Sequence, residues 1–321
     1  MIVDIDLRPD VFAAVMATGI ISIAADDHHY RLVSDTLAVL ALAALLVLVV
    51  LVVRKLILRR TFAFHHLDEP DSVLRLFTFV AACGVLAARF EPHRLAFWVL
   101  GAAALLAWLA LSPIALHSMA TRDVRQLRDG ARGAWLLAGV ATSTVAIGLA
   151  DASRFTGHPV LWWAALAVWV LAVIVYCAIM WLIVWRGVPD EPDSWILMGG
   201  LAIATLAGNH MYRGLGAGSP LRDDVKIATI VIWALAGLWI PALVYLSLRR
   251  VNGHPGALRF AGVWWAMVFP LGMYSTATEA TSIDARLPAL STISLVCLWI
   301  ALAAWLVVAV AGARAGFSAR R

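Results

Sequence analysis

Apolar runs long enough to cross a bilayer alternate along this chain with short polar gaps, and the runs themselves alternate in character. A membrane helix needs about 20 apolar residues, and fewer in its shortest forms. On that measure the chain predicts spans at about 9–25, 35–58, 73–88, 94–117, 132–150, 159–185, 194–212, 225–248, 262–279 and 288–312. The even-numbered spans are long and greasy, as from Leu37 to Leu58. The odd-numbered ones carry glycine and small polar residues: Thr18-Gly19 and Ser22, then Thr78, Cys83 and Gly84, then Gly139, Thr142-Ser143-Thr144 and Gly148, then Gly199-Gly200, Thr205, Gly208, Asn209 and His210.

Odd spans start about 60 to 70 residues apart, each followed by a greasy partner, which is the signature of a repeated helical hairpin. Leu/Val/Ala-rich helices tolerate lipid on every side, whereas glycine and hydroxyls favour close helix contacts or a polar interior. The fold expected is therefore all-α and integral to the membrane. Ten transmembrane helices would form five helical-hairpin repeats in one domain over 1–321, with five inner pore-lining helices ringed by five outer helices.

Composition agrees with a bilayer setting. Of 321 residues, 63% are hydrophobic and only 14% charged, with a mean hydropathy of +0.88, whereas soluble domains carry about 25% charged residues. The net charge of +5 does not point to nucleic acid, because the arginines cluster beside apolar spans as membrane anchors do. Cys83, Cys177 and Cys297 lie inside apolar spans without ligand spacing, so packing is their expected role. The acidic start Met-Ile-Val-Asp-Ile-Asp lacks a signal-peptide pattern, and the first span is expected to be retained.

Orientation follows from Lys and Arg in the gaps. One side collects Arg8, Arg54, Lys55, Arg59, Arg60, Arg122, Arg125, Arg128, Arg132, Arg186, Arg249, Arg250, Arg259, Arg314, Arg320 and Arg321. The other holds Arg31, Arg89, Arg94, Arg154, Arg213, Arg222, Lys226 and Arg286, and Arg75 lies toward the first side. Sixteen against eight, Arg75 aside, places both termini in the cytoplasm of a multi-pass cell-membrane protein.

Candidate chemistry is sparse. Asp26-Asp27-His28-His29 and His65-His66-Leu67-Asp68-Glu69 are metal-like in composition, but they fall at opposite membrane faces, and solvated loop histidines account for them. No Gly-x-Ser-x-Gly or His-Glu-x-x-His pattern occurs, so neither an enzyme nor a cofactor or metal is expected. His210 and Glu279 are the ionisable residues expected near the outer ends of their spans, as solvated helix ends or as an outer mouth.

The ninth span is the oddest. Val268-Phe269-Pro270 breaks it, Gly272 removes bulk, and Ser275, Thr276, Thr278 and Glu279 make it unfit to face lipid. A kinked buried helix with a packing phenylalanine is one reading, and a polar route is the other. Polar centres recurring in five repeats favour the route: hydroxyl donors and exposed backbone N–H pass anions without a fixed cation. Thr18, Gly19, Gly84, Thr142, Ser143, Thr144, Thr205, Gly208, Asn209 and Thr276 are its expected lining.

Two stretches also resemble a known family. Pro9 to Ala25, P-D-V-F-A-A-V-M-A-T-G-I-I-S-I-A-A, and W-W-A-M-V-F-P followed six residues after its proline by Thr276-Ala277 are similar to helices of the tellurite-resistance/dicarboxylate transporter family. That family includes the plant slow anion channels, fungal malate transporters and fungal sulfite exporters. The resemblance implies a homotrimer in the lipid bilayer, each protomer carrying its own pore for small inorganic or carboxylate anions. It also implies an aromatic gate on the ninth helix, here Phe269 beside Pro270, with Phe12 and Phe79 as partners. A gated anion channel or facilitated transporter is the leading expectation. A proton-coupled C4-dicarboxylate (malate) carrier, or a sulfite or tellurite exporter, is the alternative.

Overall fold

The computed structural model describes residues 9–59, 68–216, 218–253 and 262–318. Arg8, Arg60, His65, His66, Arg259, Arg320 and Arg321 of the sequence reading lie outside them. Among the described residues no strand occurs. The helices are α1 (Ala13–Asp27), α2 (Arg31–Arg59), α3 (Pro70–Arg89), α4 (Arg94–Ala120), the short α5 (Val124–Gly130), α6 (Leu137–Thr156), α7 (Pro159–Arg186), α8 (Ile196–Arg213), α9 (Arg222–Gly253), α10 (Trp265–Ala285) and α11 (Ala289–Ser318). Single 3-10 turns at Gly133–Leu136, Pro192–Trp195 and Gly262–Trp264 lead into α6, α8 and α10.

Punctuation is local. Pro70 and Pro159 open α3 and α7, where a missing N–H costs nothing. Gly157 at φ +71° ends α6, with its N–H donating to Ser153 O, so that α7 starts two residues later. Pro270 sits inside α10 without ending it.

Among the described residues seven helices are long and apolar enough to cross a membrane: α2, α3, α4, α6 with its leading turn, α7, α9 and α11. Helix α1, at 15 residues, is short for a span, while α8 and α10 are diluted by glycine, hydroxyls and charge at their C-terminal ends. Burial divides the long helices sharply. Of the most apolar window, 72% is buried in α3 and 89% in α6, against only 17–28% in α2, α4, α7, α9 and α11. Helices α1, α8 and α10 are buried along most of their length as well. The exposed faces of the other five are Leu, Val, Ile and Trp. In water this much apolar surface is untenable, so those faces are lipid-facing.

Each of α1, α3, α6, α8 and α10 packs most extensively on the helix that follows it. The five also touch in order, α1 on α3, α3 on α6, α6 on α8, α8 on α10, and α10 back on α1. Close backbone approach closes this ring. A Cβ on Gly84 would lie 2.6 Å from Thr144 Cβ, and one on Gly199 would lie 2.8 Å from Pro270 Cγ. Hydroxyls tie the first and last helix pairs in the same way. Ser22 and Ser34 exchange Oγ–H···O=C bonds of 2.8 Å between α1 and α2, and Ser275 and Ser294 exchange bonds of 2.7 Å between α10 and α11.

Tryptophans from the lipid-facing helices then reach past their own partner to the next ring helix. Trp108 Nε1 of α4 donates to Thr142 Oγ1 of α6 at 2.9 Å, and Trp169 of α7 to the Ala204 carbonyl of α8 at 2.8 Å. Trp233 of α9 donates to Thr278 of α10 at 3.0 Å, and Trp305 of α11 to Thr18 of α1 at 2.9 Å. A buried indole N–H must find an acceptor, and in an apolar ring the hydroxyls and a carbonyl supply it. Helix α2, which has no tryptophan, makes no such link.

Candidate functional site

Two cavities lie at opposite ends of the ring. The first, about 410 Å³, is walled by residues at or before the starts of all five ring helices: Asp10 for α1, Asp71 and Arg75 for α3, Arg132 for α6, Glu191 and Pro192 for α8, and Val263 for α10. The second, about 230 Å³, is walled by the C-terminal halves of α1, α8 and α10 and the end of α3 with its following turn: Asp26, Asp27, Arg89, Glu91, His210, Arg213, Thr276 and Glu279. All five ring helices therefore run in one direction, from the Arg75 end to the Asp27 end.

The Arg75 end is built around a cation that is only 16% exposed. Arg75 Nε donates to Asp71 Oδ2 at 2.9 Å and Nη1 to Asp10 Oδ2 at 3.3 Å, and Nη2 stands 4.0 Å from Asp193 Oδ2. Asp193, 1% exposed, also accepts from the Ala134 N–H at 3.1 Å, which joins the start of α8 to the start of α6. Burial pushes the Asp193 carboxyl above its ordinary range, Glu191 adds to the effect, and Arg75 opposes it.

At the other end Asp27, past the apolar stretch of α1, is exposed to the cavity it lines while protein surrounds it. Burial pushes its carboxyl up to about 7, with the charges of Glu279 and Asp26 adding, and the Arg213 charge and the Thr276 hydroxyl, which donates toward it, opposing. His210 Nδ1–H donates to Asp151 Oδ1 at 2.7 Å, and Arg154 Nη1 donates to the same oxygen at 3.1 Å. Asp151 is 1% exposed. Its second oxygen has no partner.

Between the cavities, α10 carries Phe269 at 0% exposure. It lies six residues beyond Val263 of one cavity and seven before Thr276 of the other, or about 10 Å from each along the helix axis. Pro270 rests against Gly199 of α8. Phe12 and Phe79 meet edge-to-face at a centroid distance of 5.0 Å where α1 and α3 adjoin.

The other expected lining residues separate into two groups. The Thr18 and Thr142 hydroxyls bond to their own helices and accept the indoles of Trp305 and Trp108, so they turn toward the lipid-facing layer. Thr205 bonds back to Leu201 O and Thr144 to Ala141 O. Gly19 abuts Val85, Gly84 abuts Thr144, and Gly208 abuts Thr229 and Trp169, so these glycines serve helix contacts. Asn209 donates to Thr281 Oγ1 at 3.2 Å, joining α8 to α10. Ser143 Oγ and Thr276 Oγ1 differ: both are buried and neither is tied to its own helix, and Thr276 lines the second cavity, where its hydroxyl faces Asp27.

His210 and Glu279 line the same cavity. The structure adds Asp27, which lines the cavity, and Asp151, which holds His210. The Asp26–His29 group does not converge. Asp27 turns to the cavity, His28 Nε2 meets Ser294 Oγ at 2.8 Å and lies 3.9 Å from Glu279 Oε2, and His29 takes the turn at φ 64°.

A family model described as a voltage-dependent anion channel matches residues 6–312. An uncharacterized membrane protein of Mycobacterium tuberculosis strain H37Rv is 35% identical over 122 residues, 37% of this chain and 62% of that protein. Its counterpart in strain CDC 1551 gives the same figures, so the chain spans 62% of the length of these relatives. An uncharacterized transporter of Methanocaldococcus jannaschii is 24% identical over 297 residues, covering 83% of this chain and 81% of that protein.

Proposed function

Because the chain belongs to the voltage-dependent anion channel family, we propose that it conducts small anions along the axis of the five-helix ring and that Phe269 closes the route. One observation carries this reading. Water-accessible cavities occupy the two ends of a single ring, and the interval of α10 between them holds a fully buried aromatic side chain.

An apolar ring in a narrow passage excludes ions by size and by dewetting until it moves aside. Ser143, a buried hydroxyl without a protein partner, is free to hydrogen-bond a passing anion, and Thr276 can turn to one from Asp27. Weak, distributed donors suit conduction, because a tightly held ion leaves slowly. In this reading all ten long helices cross the bilayer, α1, α8 and α10 being shielded from lipid by the exposed helices. The Arg75 end faces the cytoplasm, both termini with it, on the excess of basic residues there. Three copies would assemble in the cell membrane, each with its own pore.

The test is anion flux in proteoliposomes under chloride and nitrate gradients. Phe269→Ala is expected to raise flux severalfold over the wild type. Equal flux with equal selectivity would remove the gate assignment.

A further inference from the structure

We propose that the Asp27 end of the pore holds a proton-binding site, in which Asp27 beside Glu279 sets the charge an anion meets, so that acid on that side opens the mouth to anions. The inference rests on the channel reading above and adds a regulator to the same route.

The cavity wall and the side chains paired with it are charged in an uneven way. From α1 come Asp26, Asp27 and His28; from α2, Asp35; from α3 and its turn, Arg89 and Glu91; from α6, Asp151 and Arg154; from α8, His210 and Arg213; and from α10, Glu279 and Asp284. Helix α11 contributes Ser294. Seven of these groups are carboxylates and three are arginines. The arginines are already engaged: Arg89 with Asp35 at 2.7 Å, Arg213 with Asp284 at 3.0 Å, and Arg154 with Asp151 at 3.1 Å. His210 is held by Asp151. What remains toward the cavity is Asp26 and Asp27, neither of which closes an ion pair among the described residues, and Glu279, whose nearest cationic partner is His28 at 3.9 Å. A pore for anions thus presents uncompensated negative charge at one mouth.

A second observation marks the site as one for a proton. Glu279 Oε2, in this cavity, is buried without a hydrogen bond, and His28 Nε2 stands 3.9 Å from it. An ionised Asp27 has no proton to offer that oxygen. A protonated carboxyl brings an O–H that the oxygen accepts, and it removes one of two like charges that cannot both ionise freely at close range. The direction of the Asp27 titration agrees. Its carboxyl is pushed up to about 7, so it is charged above that pH and neutral below it.

For an anion passing at about 8 Å, neutralising one carboxylate at water-like to intermediate screening changes occupancy by about fivefold. The proton acts as a gate and is not carried with the anion, so the reversal potential stays where the anion gradient sets it.

The experiment uses the full chain in planar bilayers with chloride on both sides, each side being acidified in turn from pH 8 to pH 5.5. Acid on one side only is expected to raise wild-type conductance about fivefold. Asp27→Asn is expected to conduct at the acid level already at pH 8 and to lose the response. Glu279→Gln, which removes a like charge, is expected to move the midpoint to lower pH, and it serves as the second test should Asp27→Asn elute as aggregate. A wild-type conductance independent of pH, an unaltered profile in both variants, or a reversal potential that follows the pH gradient would overturn the proposal while leaving the channel reading intact. A wild type that passes no anion at any pH refutes the channel reading, and this one with it.

Discussion

Gly199→Ala puts the close approach of α8 and α10 to a quantitative test. The added methyl would sit 2.8 Å from Pro270 Cγ, 2.9 Å from its Cβ and 3.2 Å from its Cα. Carbon atoms rest at about 3.5–4.0 Å, so the helices must part by roughly 1 Å, and a proline ring cannot rotate out of the way. Overpacking of this kind costs about 1–3 kcal/mol, while replacing a helical glycine by alanine returns up to about 1 kcal/mol. The net expectation is a loss of about 1–2 kcal/mol. Gly148→Ala is the internal control: nothing lies within 4 Å of its added carbon, so only the helix-propensity gain applies. Thermal unfolding of both variants in one detergent, followed by tryptophan fluorescence, should place them on opposite sides of the wild type, separated by several degrees. A Gly199→Ala protein as stable as Gly148→Ala would refute the packing argument. Because Pro270 adjoins Phe269, the same shift should alter anion flux in Gly199→Ala and leave it unchanged in Gly148→Ala.

Trp108→Phe and Trp305→Phe should each lower stability by about 1 kcal/mol, the worth of the indole bonds to Thr142 and Thr18, read as a lower unfolding temperature with flux retained. Arg75→Gln should cost about 2–3 kcal/mol at neutral pH, because Asp193 is left buried without its nearest cation. The sign with pH is definite. A carboxyl raised in the fold contributes stability that is present at low pH and lost as pH rises through its folded pKa, and removing Arg75 raises that pKa further. Unfolding midpoints of wild type and Arg75→Gln should therefore converge on acidification, and a gap that persists at low pH would refute the assignment.

The helical class and the family were legible in the sequence because both rest on long-range pattern, hydropathy in one case and a few short strings in the other. Glycine and hydroxyl content likewise marks helices that are buried, as in α3 and α6. The direction of each side chain was not legible. A ring helix touches two neighbours and an outer helix, so apolar residues surround it and no polar stripe reports its inner face. Thr18 and Thr142 illustrate this: they have the chemistry of lining residues, yet their hydroxyls receive indoles from the opposite direction. The signal that separates them from Ser143 and Thr276 is a tryptophan many residues away, for Thr18 near the other end of the chain. Asp27 was obscured by company, since two adjacent histidines drew attention to metal chemistry, whereas Asp151 sat one residue past a predicted span.

The shared direction of the five ring helices has a consequence that no side chain supplies. Peptide dipoles aligned along each helix leave about half a positive charge at its first turn and half a negative charge at its last. Five of them in parallel give the axis of the ring a standing field, favourable to anions at the Arg75 end and unfavourable at the other, before any residue is counted. Single-molecule currents should accordingly rectify. Substitutions at either mouth would scale the asymmetry without abolishing it, since its source is the backbone.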